Sequence, residues 1–167
     1  METFVVYIII GLVSTWLLLT IGITILFHRS MKTMRDSEMS IRESMNLISL
    51  PVVTFENNGE KYNFIIDSGA NDSIINKECD IVSTPHRQSN DVSGISGETM
   101  KCSTVLINFK YKDKTFETLF NVINLNDLFN TIKENYGVTV HGILGTNFLD
   151  KYNYVIDFKD YKLYRRK

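Results

Sequence analysis

The chain has 167 residues, with 18 Lys+Arg against 19 Asp+Glu and a formal net charge of -1. That length suits one folded domain with additions. The charge balance, with no block of like charge, gives no reason to expect a nucleic-acid partner. The two cysteines, Cys79 and Cys102, sit outside any C-x-x-C spacing and no histidine cluster joins them, so no metal site is expected. A disulfide between them is not indicated, and a reducing compartment suits them better.

The N-terminal segment carries the first strong signal. From Phe4 to Phe27 run 24 residues without a charge, FVVYIIIGLVSTWLLLTIGITILF. At about 1.5 Å rise per residue, such a helix spans a hydrocarbon core of roughly 30 Å. A cleaved secretory signal needs a basic start, a shorter apolar stretch and a small-x-small exit. Here the start is Met1-Glu2 and the exit is His28-Arg29-Ser30. The reading is an uncleaved single-pass anchor over residues 1–28, with residues 4–27 in lipid. Arg29, Lys32 and Arg35 follow it and only Glu2 precedes it, which places the C-terminal bulk in the cytoplasm.

Residues 29–49 are charged, Met-rich and free of Gly and Pro. They read as an amphipathic juxtamembrane linker helix. Met31, Met34, Ile41, Met45 and Ile48 recur at spacings of 3, 7, 4 and 3, with Glu38 at one core position. That is also the seam of a short parallel coiled coil, although it covers fewer than three to four heptads.

From Leu50-Pro51 onward the pattern turns to strands. VVTFE and KYNFIID flank Asn57-Asn58-Gly59, a turn sequence that tolerates positive φ, and so form a hairpin. Further strands are expected at SIIN (73–76), MKCSTVLINFKY (100–111), TFETLFNVI (115–123), and in YNYVIDF and YKLYRR around a turn at Lys159-Asp160. One helix is expected over LNDLFNTIKENYG, with Leu125, Leu128, Phe129 and Ile132 on one face and Gly137 as cap. A second short one follows Gly145. Residues 50–167 are therefore a mainly β domain with one or two short helices, large enough for one modest core.

Chemistry points to one turn. Asp67-Ser68-Gly69-Ala70 follows the apolar strand end Phe64-Ile65-Ile66 and precedes Ser73-Ile74-Ile75. The strand delivers a carboxylate into a tight turn, the Gly lets backbone N–H groups approach it, and the Ser hydroxyl can brace it. Held between apolar strands, the acid is expected to have limited solvent, as general acid–base work requires. Alone, Asp-Ser-Gly is an ordinary turn. Downstream, however, His141-Gly142-Ile143-Leu144-Gly145-Thr146-Asn147-Phe148-Leu149 makes a second constrained turn opening into a helix.

The two motifs together resemble the retropepsin family of aspartic proteases, in particular its single-domain prokaryotic and retroviral-type members, over roughly Leu50 to Arg165. The resemblance implies an acid-protease barrel. It implies Asp67 as the catalytic carboxylate in the turn Ser68, Gly69 and Ala70. Ile143, Leu144 and Gly145 then form the supporting turn, packed beside it. The family's substrate flap falls on Val92 to Thr99, with Gly94, Ile95, Ser96 and Gly97 at the tip. The stretch from Cys79 to Asn90 and the helix near 125–136 have no counterpart in that pattern. The implied reaction is peptide hydrolysis by a water between two carboxylates that share one proton, without metal, cofactor or covalent intermediate. Only one D-[ST]-G occurs here, so a homodimer supplies the second Asp across a two-fold axis. The competing reading is a non-catalytic module of the same fold that dimerises or captures extended peptides. His141 precedes the supporting turn and reads as structural. Asn71-Asp72-Ser73 matches a glycosylation acceptor, yet it adjoins the Asp67 turn and is discounted.

Overall fold

The computed structural model describes residues 13–26, 39–93 and 99–166, apart from the side chains of 87–91, 93 and 99. The chain divides into two units, Met1–Ser37 and Glu38–Lys167. In the first, residues 13–26 are helical (α1) and expose large apolar side chains, among them Trp16, Leu18 and Ile23. The Thr20 and Thr24 hydroxyls both donate to carbonyls of this same helix, of Leu17 and Thr20 respectively, each at 2.8 Å. Among the described residues no helix is long and apolar enough to cross a membrane. The remainder of the expected 4–27 span lies outside them, as do Met31, Met34 and Glu38 of the seam.

The second unit begins with α2 (Ile41–Ile48). Its N-terminus is a capping box: the Glu43 N–H donates to the Ser40 hydroxyl, and the Glu43 carboxylate accepts from the Ser40 N–H and hydroxyl. Those bonds hold the Glu43 carboxyl below its ordinary value. Ser49, in left-handed backbone with φ 56°, closes the helix just before Pro51. The seam positions that are described face inward. Ile41 is buried in the main core with Met45 packed on it, and Ile48 packs on a second cluster. A coiled coil would need these side chains free, and this chain's own domain occupies them.

Among the described residues nine strands follow: β1 (Val52–Asn57), β2 (Glu60–Ile66), β3 (Ser73–Asn76), β4 (Thr84–Ser93), β5 (Thr99–Tyr111), β6 (Lys114–Ile123), β7 (Gly142–Leu144), β8 (Tyr154–Asp157) and β9 (Lys162–Arg165). The first seven form one sheet in the order β1-β2-β7-β3-β6-β5-β4. β1 also meets β5 at Glu56↔Lys110, which curls the sheet into a barrel. β8 and β9 make a separate hairpin around the expected turn. The β1–β2 turn is the one its sequence requires, with Asn58 at φ 52° and Gly59 at φ 87°.

Alternation along the strands sorts the apolar side chains into two cores. Phe55, Phe64, Phe109, Phe120 and Phe148 fill the barrel at 0–2% exposure, with Phe55 edge-on to Phe109 at 4.7 Å between centroids. The other face of β1 and β2 carries Val52 and Ile65, which pack with Phe129, Ile132, Val138 and Val140. Phe129 and Ile132 come from α3 (Asn126–Tyr136), which ends at Gly137 as expected. Leu128 does not share that buried face. It is half exposed, because only the Phe129/Ile132 stripe meets the sheet. The last helix, α4 (Thr146–Lys151), starts directly after β7.

Cys79 is a partly buried free thiol, and Cys102 is buried. Burial, reinforced by the nearby Asp80 carboxylate, pushes Cys79 up to about 11.

Candidate active site

β2 runs parallel to β7, with Ile65 beside Ile143 and Ile66 beside Leu144. β3 runs antiparallel to β7 on its other side. The supporting residues named from the sequence therefore lie between the strand that enters the Asp67 turn and the strand that leaves it. The Asp67 N–H extends the ladder by donating to the Leu144 carbonyl at 3.0 Å. Beyond that point the chain turns. The Gly69 N–H donates to Asp67 Oδ1 at 2.8 Å, and the Ala70 N–H donates to the Asp67 carbonyl at 3.3 Å. One carboxylate oxygen is thus fixed by the turn's own backbone, as the glycine at position 69 suggested.

The far side of the turn is joined to the start of α4. The Thr146 N–H donates to the Ala70 carbonyl at 2.8 Å and the Asn147 N–H to the Asn71 carbonyl at 3.0 Å. The Thr146 hydroxyl reaches both carbonyls at 3.2 Å. Gly145 is required by contact: a Cβ there would sit 2.7 Å from the Ala70 carbonyl oxygen and from Asp72 backbone atoms. Such approach is closer than carbon tolerates, so the two segments meet only with glycine at this position.

Ser73 and Asn147 belong to this assembly, and neither was singled out as a site residue from the sequence. Ser73 is fully buried. Its Oγ accepts from the Gly145 N–H at 3.1 Å and donates to Asn147 Oδ1 at 2.7 Å. The Asn147 Nδ2 then donates to the Leu119 carbonyl of β6 at 3.1 Å. These partners lie 72, 74 and 28 residues apart in sequence, so no local pattern reveals them.

In the single chain Asp67, Ser68 and Gly69 are exposed. The limited solvent expected around Asp67 is not found in this chain, because β2 ends at Ile66 and the turn lies past the end of that strand. Gly94, Ile95, Ser96 and Gly97 lie outside the described residues. The strands that lead to them, β4 and β5, are paired as far as Ser93↔Thr99.

His141 is structural, as read from the sequence. Its Nδ1 accepts from the Asn63 N–H at 2.9 Å, and its ring lies edge-on to Tyr62 at 5.2 Å between centroids. Burial holds its pKa below the usual histidine value, with the Lys133 ammonium acting in the same direction. The ring is therefore neutral at pH 7.

No family model matches this sequence. No curated protein matches it either. Among solved structures, an EIAV protease complexed with the inhibitor HBY-793 is similar, at 17% identity and a TM-score of 0.43, over 64% of this chain and 90% of that one. The likeness is a distant one of fold and assigns no residue a role.

Proposed function

We propose that this chain is an aspartic endopeptidase that hydrolyses peptide bonds at a dyad made by Asp67 of two identical subunits. One observation carries the reading. A carboxylate with one oxygen pinned by a backbone N–H stands exposed at the end of a strand, on a turn bonded across to a second, glycine-dependent turn. The N–H contact alone is that of an ordinary Asx turn, as at Asp157; what sets the Asp67 turn apart is its bonding across to the 144–147 segment. A catalytic acid that must meet its twin needs such fixation, since two carboxylates about 3 Å apart share one proton and split the work of general base and general acid. A second copy would also cover the exposed face of the turn and exclude bulk water.

The decisive experiment compares purified wild-type chain with Asp67→Asn on a peptide library and on the chain itself. Cleavage by the wild type, absent in a folded Asp67→Asn, supports the mechanism. Full cleavage by Asp67→Asn overturns it. Peptide binding without cleavage by either protein favours the non-catalytic module instead. Mixing excess Asp67→Asn with wild type should poison activity, because mixed dimers carry one carboxylate. Activity that persists in a demonstrated monomer removes the shared site.

Residues 4–27 are the proposed membrane anchor. Support comes from the uncharged run and from α1, whose exposed surface is apolar and whose Thr20 and Thr24 hydroxyls are satisfied within the helix. Anchoring two chains in one bilayer raises their effective concentration and so favours pairing. The domain is assigned to the cytoplasmic side from Arg29, Lys32 and Arg35. Protease added outside intact cells should then leave residues beyond 30 uncut, and digestion from outside reverses the assignment.

A further inference from the structure

We propose that the cavity between α3, the end of β3 and the start of β7 is a binding site for a small carboxylate, held by the Lys133 ammonium and the His141 Nε2–H. The cavity has a volume of about 200 Å³, and its lining includes Glu78, Cys79, Asn130, Lys133, Thr139 and His141. No residue of the Asp67 turn lines it. The site is therefore separate from the dyad and does not depend on the protease reading.

The tautomer of His141 follows from its backbone bond. Nδ1 accepts from the Asn63 N–H at 2.9 Å, and the ring is neutral at pH 7, so the proton sits on Nε2. No described group accepts from that Nε2–H. Lys133 is in the same position. The ion pair found among the described residues joins Lys162 to Asp160, and no carboxylate pairs with the Lys133 ammonium. The ammonium is near enough to the ring to disfavour an imidazolium. Thr139 adds a third unmet group, a buried hydroxyl without a hydrogen-bond partner. Polar groups left unsatisfied together beside one cavity call for an occupant. A carboxylate there satisfies the first two at once: one oxygen pairs with the ammonium, and the other accepts the Nε2–H.

Size and charge narrow the class. The cavity, at about 200 Å³, admits a ligand of a few heavy atoms, against roughly 30 Å³ for one water. Glu78 is the acid on the lining, and it is exposed. Its charge penalises a dianion such as phosphate more than a single carboxylate. Cys79 stays a neutral thiol, because burial and the Asp80 carboxylate push it up to about 11. Tyr62, edge-on to the imidazole, stays a neutral phenol, since burial raises its pKa.

The test titrates the full-length chain with sodium acetate at pH 7 and constant ionic strength, following the His141 ring resonances by NMR. Inorganic phosphate is the second probe. Lys133→Met removes the ammonium at an exposed position in the last turn of α3, and Lys133→Arg restores a cation. The expected result is a saturable His141 shift with a Kd on the order of millimolar. With acetate bound the His141 pKa should rise, because the carboxylate favours the imidazolium. Lys133→Met should weaken binding about tenfold or more, and Lys133→Arg should retain it. Phosphate should bind more weakly than acetate, and Glu78→Gln should narrow that gap. A response that never saturates overturns the proposal and leaves the cavity to water. Binding that Lys133→Met does not change overturns it as well. Tighter binding of phosphate than of acetate overturns the carboxylate assignment.

Discussion

The parallel pair β2–β7 carries a titratable side chain at each end, and the two ends treat their groups oppositely. At the start of β7, His141 is largely buried, accepts a backbone N–H and lies against Tyr62. At the end of β2, Asp67 is exposed, with one oxygen fixed by the Gly69 N–H. The imidazole has been taken out of solvent and its proton chemistry suppressed. The carboxylate has been held still and left accessible. The imidazole, held by a backbone N–H and an aromatic neighbour, serves the architecture; the fixed and accessible carboxylate is the group that the proposed reaction would use.

The sharpest break of this contrast is at the exposed end. Asp67→Asn preserves shape and should remove activity by about 10⁴-fold, the scale seen when one member of a catalytic set is lost, while the unfolding midpoint barely moves. A large drop in stability would place Asp67 with His141 as an architectural group. Gly145→Ala should come next. Its Cβ has no room against Ala70 and Asp72, and overpacking of this kind costs about 1–3 kcal/mol. Denaturant unfolding checks that value, and activity should fall together with stability.

At the buried end the effect appears in pH dependence. The folded His141 pKa lies below its unfolded value of about 6.5. Below that pH the unfolded chain binds a proton the folded one refuses. Its contribution to stability is thus complete above about pH 6.5 and is lost as pH falls below it. His141→Gln should flatten the wild-type decline in melting temperature as pH falls below roughly 6.5. An identical decline in both proteins would show that other groups cause it. The smallest expected effect is at Thr118, whose buried hydroxyl has no hydrogen-bond partner. Thr118→Val removes an unsatisfied polar atom without changing shape, and it should be neutral or stabilising by about 1 kcal/mol in thermal unfolding.

What was legible in the sequence follows from how local each cause is. The β1–β2 hairpin was readable because Asn58-Gly59 determines the turn by its own backbone preference. β3, β5 and β6 were readable from short apolar or alternating runs. β4 was not, although it is ten residues long. Among the described residues it pairs only with β5, and it contains Pro85 and is irregular between His86 and Asn90. An edge strand of that kind needs no apolar face and tolerates proline, so it leaves no periodic trace. Leu128 was placed on the buried face because spacing cannot show how wide a stripe the sheet will cover. The site was half legible: Asp67 and the Ile143–Gly145 turn carry motif signals. Ser73 appeared only as the first residue of a strand and within a discounted acceptor tripeptide, because its partners are remote in sequence.

One further consequence belongs to Cys79. A thiol pushed up to about 11 is ionised in only about one molecule in 10⁴ at neutral pH, and the other cysteine, Cys102, is buried. Alkylating reagents act on the ionised form, so brief treatment with iodoacetamide should leave most of the chains unmodified. Iodoacetamide thereby becomes a clean reagent for this protein. It can silence contaminating cysteine proteases in a preparation while leaving any cleavage due to Asp67 in place.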